Sequence, residues 1–288
     1  MSEKHLGKLT VREFFARFPD DDACVEHVME VRFGLRHTCR ACGTESTFHK
    51  LANRRAYSCA NCGDHMYPCA GTIFQDSRTP LQIWFYAIYL FVVTRHGVSG
   101  KELQRTLGVT YKTAWRMGQQ IRQLMDKADV FQALRGHVEM DEAYIGGKRP
   151  KSKWGGAGKT IVFGMKQRGG RTVAEVVSDA SMPTLKKVVL ETVEPGSKVS
   201  TDEWKSYGLL NKYGYQHETL NHRAYEYVRG EHHTNGIESF WRMFKASVRA
   251  THIHVSPKYM NRYLREFTFR ANHREKQNAM FDLLVAAV

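Results

Sequence analysis

The sequence predicts an α/β chain, a mixed sheet with flanking helices preceded by two smaller modules, one built around cysteines and one helical. Three observations lead to that expectation. Two C-x2-C pairs lie close together between Cys39 and Cys62. A stretch with helix-capping residues and apolar positions three and four apart follows them, and beyond Gly136 branched residues alternate as they do in strands. These textures divide the 288 residues into 1–70, 71–134 and 136–288, with a connector at 126–136 where the helical pattern fades before a glycine. At roughly 100–200 residues per domain the chain holds about two domains, and a hydrophobic fraction of 42% is enough to build a core.

Lys and Arg number 43 against 29 Asp and Glu, a formal net charge of +14. That balance favours a polyanionic partner, because each phosphate neutralised by a cation releases condensed counterions. Nucleic acid is the leading candidate, with membrane surfaces a further class that a basic chain suits. The start, MSEKHLGKLTVREFF, has no apolar run ending in small residues, so no secretory leader is expected and the chain is expected to stay in the cytoplasm. The most apolar stretch, LQIWFYAIYLFVV from Leu81 to Val93, falls short of the ~20 residues a bilayer requires and reads as a buried helix.

Cys39 and Cys42, with Cys59 and Cys62, form two knuckles sixteen residues apart, the arrangement of a four-thiolate structural zinc site. Gly43 and Gly63 follow the knuckles and suit the tight turns that bring backbone N–H groups towards the sulfurs. Phe48 and Tyr57, between the knuckles, belong to segments that read as strands of a zinc ribbon. Cys24 and Cys69 have no C-x2-C partner and read as packing residues. With four protein ligands the Zn2+ is structural, which leaves DNA or protein contact as the ribbon's role.

From Val98 the chain runs VSGKELQRTLGVTYKTAWRMGQQIRQLM, two helices divided at Gly108. Ser99 is placed to cap the first helix, with Glu102 completing a capping box, and Thr110 to cap the second. Gly108 stands where a left-handed residue is required. Ala114, Met117, Ile121 and Leu124 share the inward face, leaving Tyr111, Lys112, Arg116 and Arg122 nearer to solvent. As a helix-turn-helix this segment offers Tyr111, Lys112, Thr113 and Arg116 as DNA contacts near the N-terminus of a groove-reading helix. A plain helical hairpin in a core has the same periodicity.

Phosphodiester transfer requires divalent metals held by carboxylates that converge from separate elements, with the ions ~3.5–4 Å apart. Asp141 lies in the strand-like HVEMDEAYI, and Asp202 stands where the strand-like KVST runs out, the place where α/β sheets put their ligand sites. Glu238 lies on a helix whose buried stripe is Ile237, Phe240, Trp241, Phe244 and Val248. Between the first two acids, KTIVFGMKQR, RTVAEVVS and MPTLKKVVLETV read as two strands and a helix, a β-β-β-α-β layout. The order strand-Asp, strand-end-Asp, helix-Glu is that of an RNase H-like mixed sheet. Glu142 and Glu203 point elsewhere if their neighbours are ligands. In the basic glycine-rich loop GGKRPKSKWGGAGK, Lys148, Arg149, Lys151 and Lys153 are either phosphate contacts or a solvated hairpin tip.

The segments CRACG, CANCG, LGVTYKTAWRM, VEMDEAYIGGK, STDEWKSY and HTNGIESFWRMFK resemble bacterial insertion-sequence transposases of the DDE type related to the eukaryotic Merlin transposons. The resemblance covers nearly the whole chain, and the thirty-six positions from Asp202 to Glu238 match the family's spacing. It implies that Asp141, Asp202 and Glu238 hold two Mg2+ (or Mn2+) ions. It further implies cleavage at transposon ends and attack of a 3′-hydroxyl on target DNA, with double-stranded DNA as partner, a homo-oligomer on that DNA, and no membrane. Asn235 is a reserve third ligand, and His233 and Asn235 either orient DNA or a metal-bound water or cap the helix. The alternative is a non-catalytic DNA-binding regulator derived from a transposase; a simple nuclease is a further outcome of the same fold.

Overall fold

The computed structural model describes residues 9–146, 158–202, 210–221 and 228–288. Lys148, Arg149, Lys151 and Lys153 lie outside the described residues. The chain forms two units, one of the residues up to Ala128 together with Lys276–Val288, the other Asp129–Glu275. Among the described residues no helix is long and apolar enough to cross a membrane.

In the first unit Thr10 and Glu13 make a reciprocal capping box on α1 (Val11–Arg17). Asp20 accepts the Ala23 N–H at 2.8 Å to start α2 (Asp21–Arg32). Four short antiparallel strands follow in sequence order, β1 (Arg36–Thr38), β2 (Glu45–Lys50), β3 (Tyr57–Cys59) and β4 (His65–Met66). The apolar run is α3 (Leu81–Val93), which buries Trp84, Phe85, Ile88 and Phe91 as its composition demands. α4 (Gly100–Leu107) and α5 (Tyr111–Ala128) meet at Gly108, whose φ of 65° is the left-handed conformation glycine adopts without strain. The last helix, α9 (Gln277–Ala286), packs on α2, α3 and α5 and sets Phe281 among Phe14, Phe18 and Phe85. The sequence reading instead carries the α/β region through to Val288.

The second unit is a five-stranded sheet in the order β7-β6-β5-β8-β9. Its strands are β5 (His137–Ile145), β6 (Thr160–Gln167), β7 (Thr172–Val177), β8 (Lys198–Thr201) and β9 (Gln216–Thr219). The β5–β6 and β6–β7 pairs are antiparallel; β8 and β9 join in parallel. Alternation along β5 sends Val138 and Met140 to one face, where they meet Leu185 and Val189 of α6 (Met182–Thr192). Ala143 and Ile145 go to the other face, against Ile237, Trp241 and Phe244 of α7 (Asn235–Ser247) and Leu264 and Phe267 of α8 (Met260–Asn272). Both faces of the sheet are therefore covered by helix, and the expected α/β layout with a mixed sheet is present.

Candidate active site and zinc site

The four knuckle sulfurs, from Cys39, Cys42, Cys59 and Cys62, all lie within 4.8 Å of one another. Cys39 Sγ and Cys62 Sγ are 3.7 Å apart. Four thiolates at ~2.3 Å from one zinc in a tetrahedron stand about 3.8 Å from each other, so the donor set fits that ion. Both knuckles close the same way. Gly43 N–H donates to Cys39 O and Gly63 N–H to Cys59 O, each at 2.9 Å, with both glycines at positive φ. The Thr44 hydroxyl at 2.9 Å and the Asn61 amide hold the Cys42 thiol down to about 6, whereas the Cys62 thiol, which the Asp64 backbone lowers, is pushed up to about 12 by burial and by the neighbouring cysteines. Cys24 is buried away from this group, and burial pushes its thiol up to about 12, as suits a packing residue.

The acids converge through strand register and one close helix contact. In the parallel β5–β8 pair Glu139 stands opposite Ser200, and Asp202 follows directly on the end of β8 at Thr201, where its charge reaches Asp141. The face of β5 that holds Asp141 carries α7. Asp141 pairs across the antiparallel ladder with Gly164, and a Cβ at Gly164 would sit 2.4 Å from Trp241 Cζ2 and 2.9 Å from Ile237 Cδ1. The glycine therefore lets α7 close onto the sheet beside Asp141, bringing Glu238 with it. Thr234 Oγ1 donates to Glu238 Oε1 at 2.6 Å and orients that carboxylate. Burial, then the charges of Glu142, Asp202 and Glu238, push the Asp141 carboxyl up to about 8, while Lys245 pulls it down. Among the described residues the four cysteines are the group whose ligand atoms all lie close enough to share one ion, whereas the three acids are linked by the charge that Asp202 and Glu238 exert on Asp141.

On α5, Tyr111, Lys112 and Arg116 are exposed, and Thr113 is half-buried with its hydroxyl 3.0 Å from that of Thr110. Arg122 departs from the sequence reading. It is buried, with its guanidinium 3.2 Å from the Val98 carbonyl and over the Phe91 ring. A long side chain has curled back to meet an acceptor that periodicity does not reveal. Asn235 is the exposed first residue of α7, and His233 stands against Glu139, with Nδ1 3.2 Å from Oε1. The sequence reading passed over Glu139, Arg168, Thr234 and Gly164. A glycine inside a strand was the available signal for a close approach.

Residues 133–272 match the ISXO2-like transposase domain, and residues 19–65 match the transposase zinc-ribbon domain. The chain is 28% identical over 252 residues to "Uncharacterized protein in transposable element ISH50" of Halobacterium salinarum, an overlap of 81% of this chain and 84% of that protein. It is 29% identical over 100 residues to "Uncharacterized transposase-like protein" of Haemophilus influenzae, 35% of this chain and 80% of that one. A thiolate ribbon joined to an acid-bearing α/β unit, each matching its own domain family, defines a transposase with an N-terminal zinc ribbon. The chain belongs to the ISXO2-like family of insertion-sequence transposases.

Proposed function

We propose that this chain is a DDE-type DNA transposase that cleaves transposon ends and joins their 3′-hydroxyls to target DNA, with Asp141, Asp202 and Glu238 as its metal ligands. The observation that carries this reading is the placement of the three acids: Asp141 on the central strand opposite Gly164, Asp202 directly after β8, and Glu238 in the first turn of the helix that closes onto Gly164. The sheet order, with the Asp141 strand central and the Asp202 strand beside it in parallel, supports an RNase H-like fold. Bound there, two Mg2+ (or Mn2+) ions would activate the attacking oxygen and stabilise the leaving one. The chain's own residues set the geometry. β5 carries Asp141 and the end of the parallel β8 leads into Asp202, and Thr234 holds one oxygen of Glu238 and so aims the other.

For DNA recognition we assign α4 and α5 to a helix-turn-helix. Tyr111, Lys112 and Arg116 are exposed on its second helix, and Thr113 lies between them. Lys148, Arg149, Lys151 and Lys153 supply phosphate contacts in this reading. Double-stranded DNA, both ends and target, is the partner, and two ends held together call for a homo-oligomer.

The test is transposition in cells of a marked segment bounded by the inverted repeats that flank this reading frame, comparing wild type with Asp202→Ala at matched expression. Insertions that require Asp202 are the expected result. Equal insertion by both would move the reading to a DNA-binding regulator.

A further inference from the structure

Glu139 is a carboxylate that the acidic triad leaves unused. It lies two residues before Asp141 on the same face of β5 and is 1% exposed. A buried charge persists only where its lone pairs are met. An ionised carboxylate offers about four such sites, and four groups face these. Arg168 Nε at 3.0 Å and His233 Nδ1 at 3.2 Å approach Oε1, the histidine at ion-pair distance but out of line for a hydrogen bond. The Gly236 and Ile237 N–H groups donate to Oε2 at 2.7 and 3.0 Å.

Those two amides are first-turn donors of α7, at the positive end of its dipole. Thr234, in the cap position, makes no side-chain cap because its hydroxyl goes to Glu238. The sheet supplies the cap instead. Gly236 makes room for it, since a Cβ there would lie 2.7 Å from Glu139 Oε2. Arg168 extends the fastening to the carbonyl oxygens of Glu231 and of His233, the latter at 3.0 Å, and Ser200 Oγ lies 2.9 Å from His232 Nδ1. The whole approach to α7 is thus tied to the sheet.

We propose that Glu139 is the positioning residue of the acidic site, fastening the N-terminus of α7 to the strand that carries Asp141 and so setting where Glu238 stands relative to Asp141. The inference rests on the metal-carboxylate reading above. From Asp141 to Glu238 the path through this clamp runs two residues along β5, across one carboxylate, and two residues along α7. Without the carboxylate, two helix amides and a guanidinium lose their buried acceptor, and α7 is free to shift the ligand it carries. Groups that orient metal ligands in this way change metal affinity or activity by about 10–100-fold when removed.

The test uses the full chain bound to its end DNA, with Glu139→Gln and Gly236→Ala as variants and Asp141→Asn as control. Mn2+ binding is followed by loss of the free-ion EPR signal, amide hydrogen exchange is read at Gly236 and Ile237, and end affinity and melting temperature are measured alongside. Glu139→Gln and Gly236→Ala are expected to weaken Mn2+ binding by about 10–100-fold and speed exchange at both amides while end affinity is unchanged. Asp141→Asn is expected to lose Mn2+ binding with the amides still protected. A folded Glu139→Gln that binds Mn2+ as tightly as wild type overturns the proposal; should that variant not fold, wild-type Mn2+ binding by Gly236→Ala does so. Undiminished Mn2+ binding in Asp141→Asn removes the metal reading itself and the proposal with it, a failure distinguishable from the first.

Discussion

At Asp141 the carboxyl group stands at about 8 against an ordinary 3.8, raised by burial and by Glu142, Asp202 and Glu238. Because the folded value lies above the unfolded one, this group favours the fold fully below pH ~4 and loses that contribution as pH rises through about 8. A divalent cation takes the carboxylate, so it competes with the proton and relieves the repulsion. The rise in melting temperature on adding Mg2+ is therefore expected to grow between about pH 6 and pH 9 and to vanish in Asp141→Asn. A Mg2+ effect of equal size at both ends of that range would contradict the assignment. The sequence singles out the three acids because residue type, element and order agree, and Asp202 and Glu238 do place their charges on Asp141. Glu139 was not legible. Period-two alternation places it on the same face as Asp141 but cannot say that one of the pair meets helix amides and the other meets acids. Arg122 was misplaced for a related reason, since periodicity positions Cβ and not the far end of a long side chain.

Among the elements, the contact between β6 and α7 matters most to the candidate site. Gly164 adopts an ordinary strand conformation, so a methyl group there is opposed only by its neighbours, Trp241 and Ile237. Gly164→Ala is expected to lower stability by about 1–3 kcal/mol through overpacking. Combined with Trp241→Phe, which shortens the opposing ring, it should cost less than the sum of the two single changes, because residues in contact couple. Denaturant unfolding of the three variants checks this, and additive losses would mean that the close approach does not constrain α7. The long elements were legible from their periodicity. β5 matches its alternating segment, and α3 matches the apolar run. β9 was not legible, because Gln216–Thr219 is four residues without an apolar alternation and is defined by pairing to β8. Nor was the destination of α9, since an apolar helix does not state which core it enters.

For the whole molecule, a net charge of +14, a ribbon whose sulfurs stand at zinc-ligand spacing, and an α/β unit that matches a transposase domain make a consistent account of a transposase. The ribbon was fully legible because two knuckles at that spacing admit few other structures. Reaction type was legible only through resemblance, since one fold hosts several phosphoryl-transfer outcomes. The most direct measurement is product analysis with the purified full chain, labelled DNA ending in the flanking inverted repeats, a target plasmid and Mg2+. Asp141→Asn, Asp202→Ala, Glu238→Gln and a chelated control are run beside the wild type. Wild type is predicted to join labelled 3′ ends to the plasmid, with joining lost in each variant and on chelation while every variant still binds the ends. Joining that persists in Asp202→Ala, or in the presence of chelator, would contradict the account.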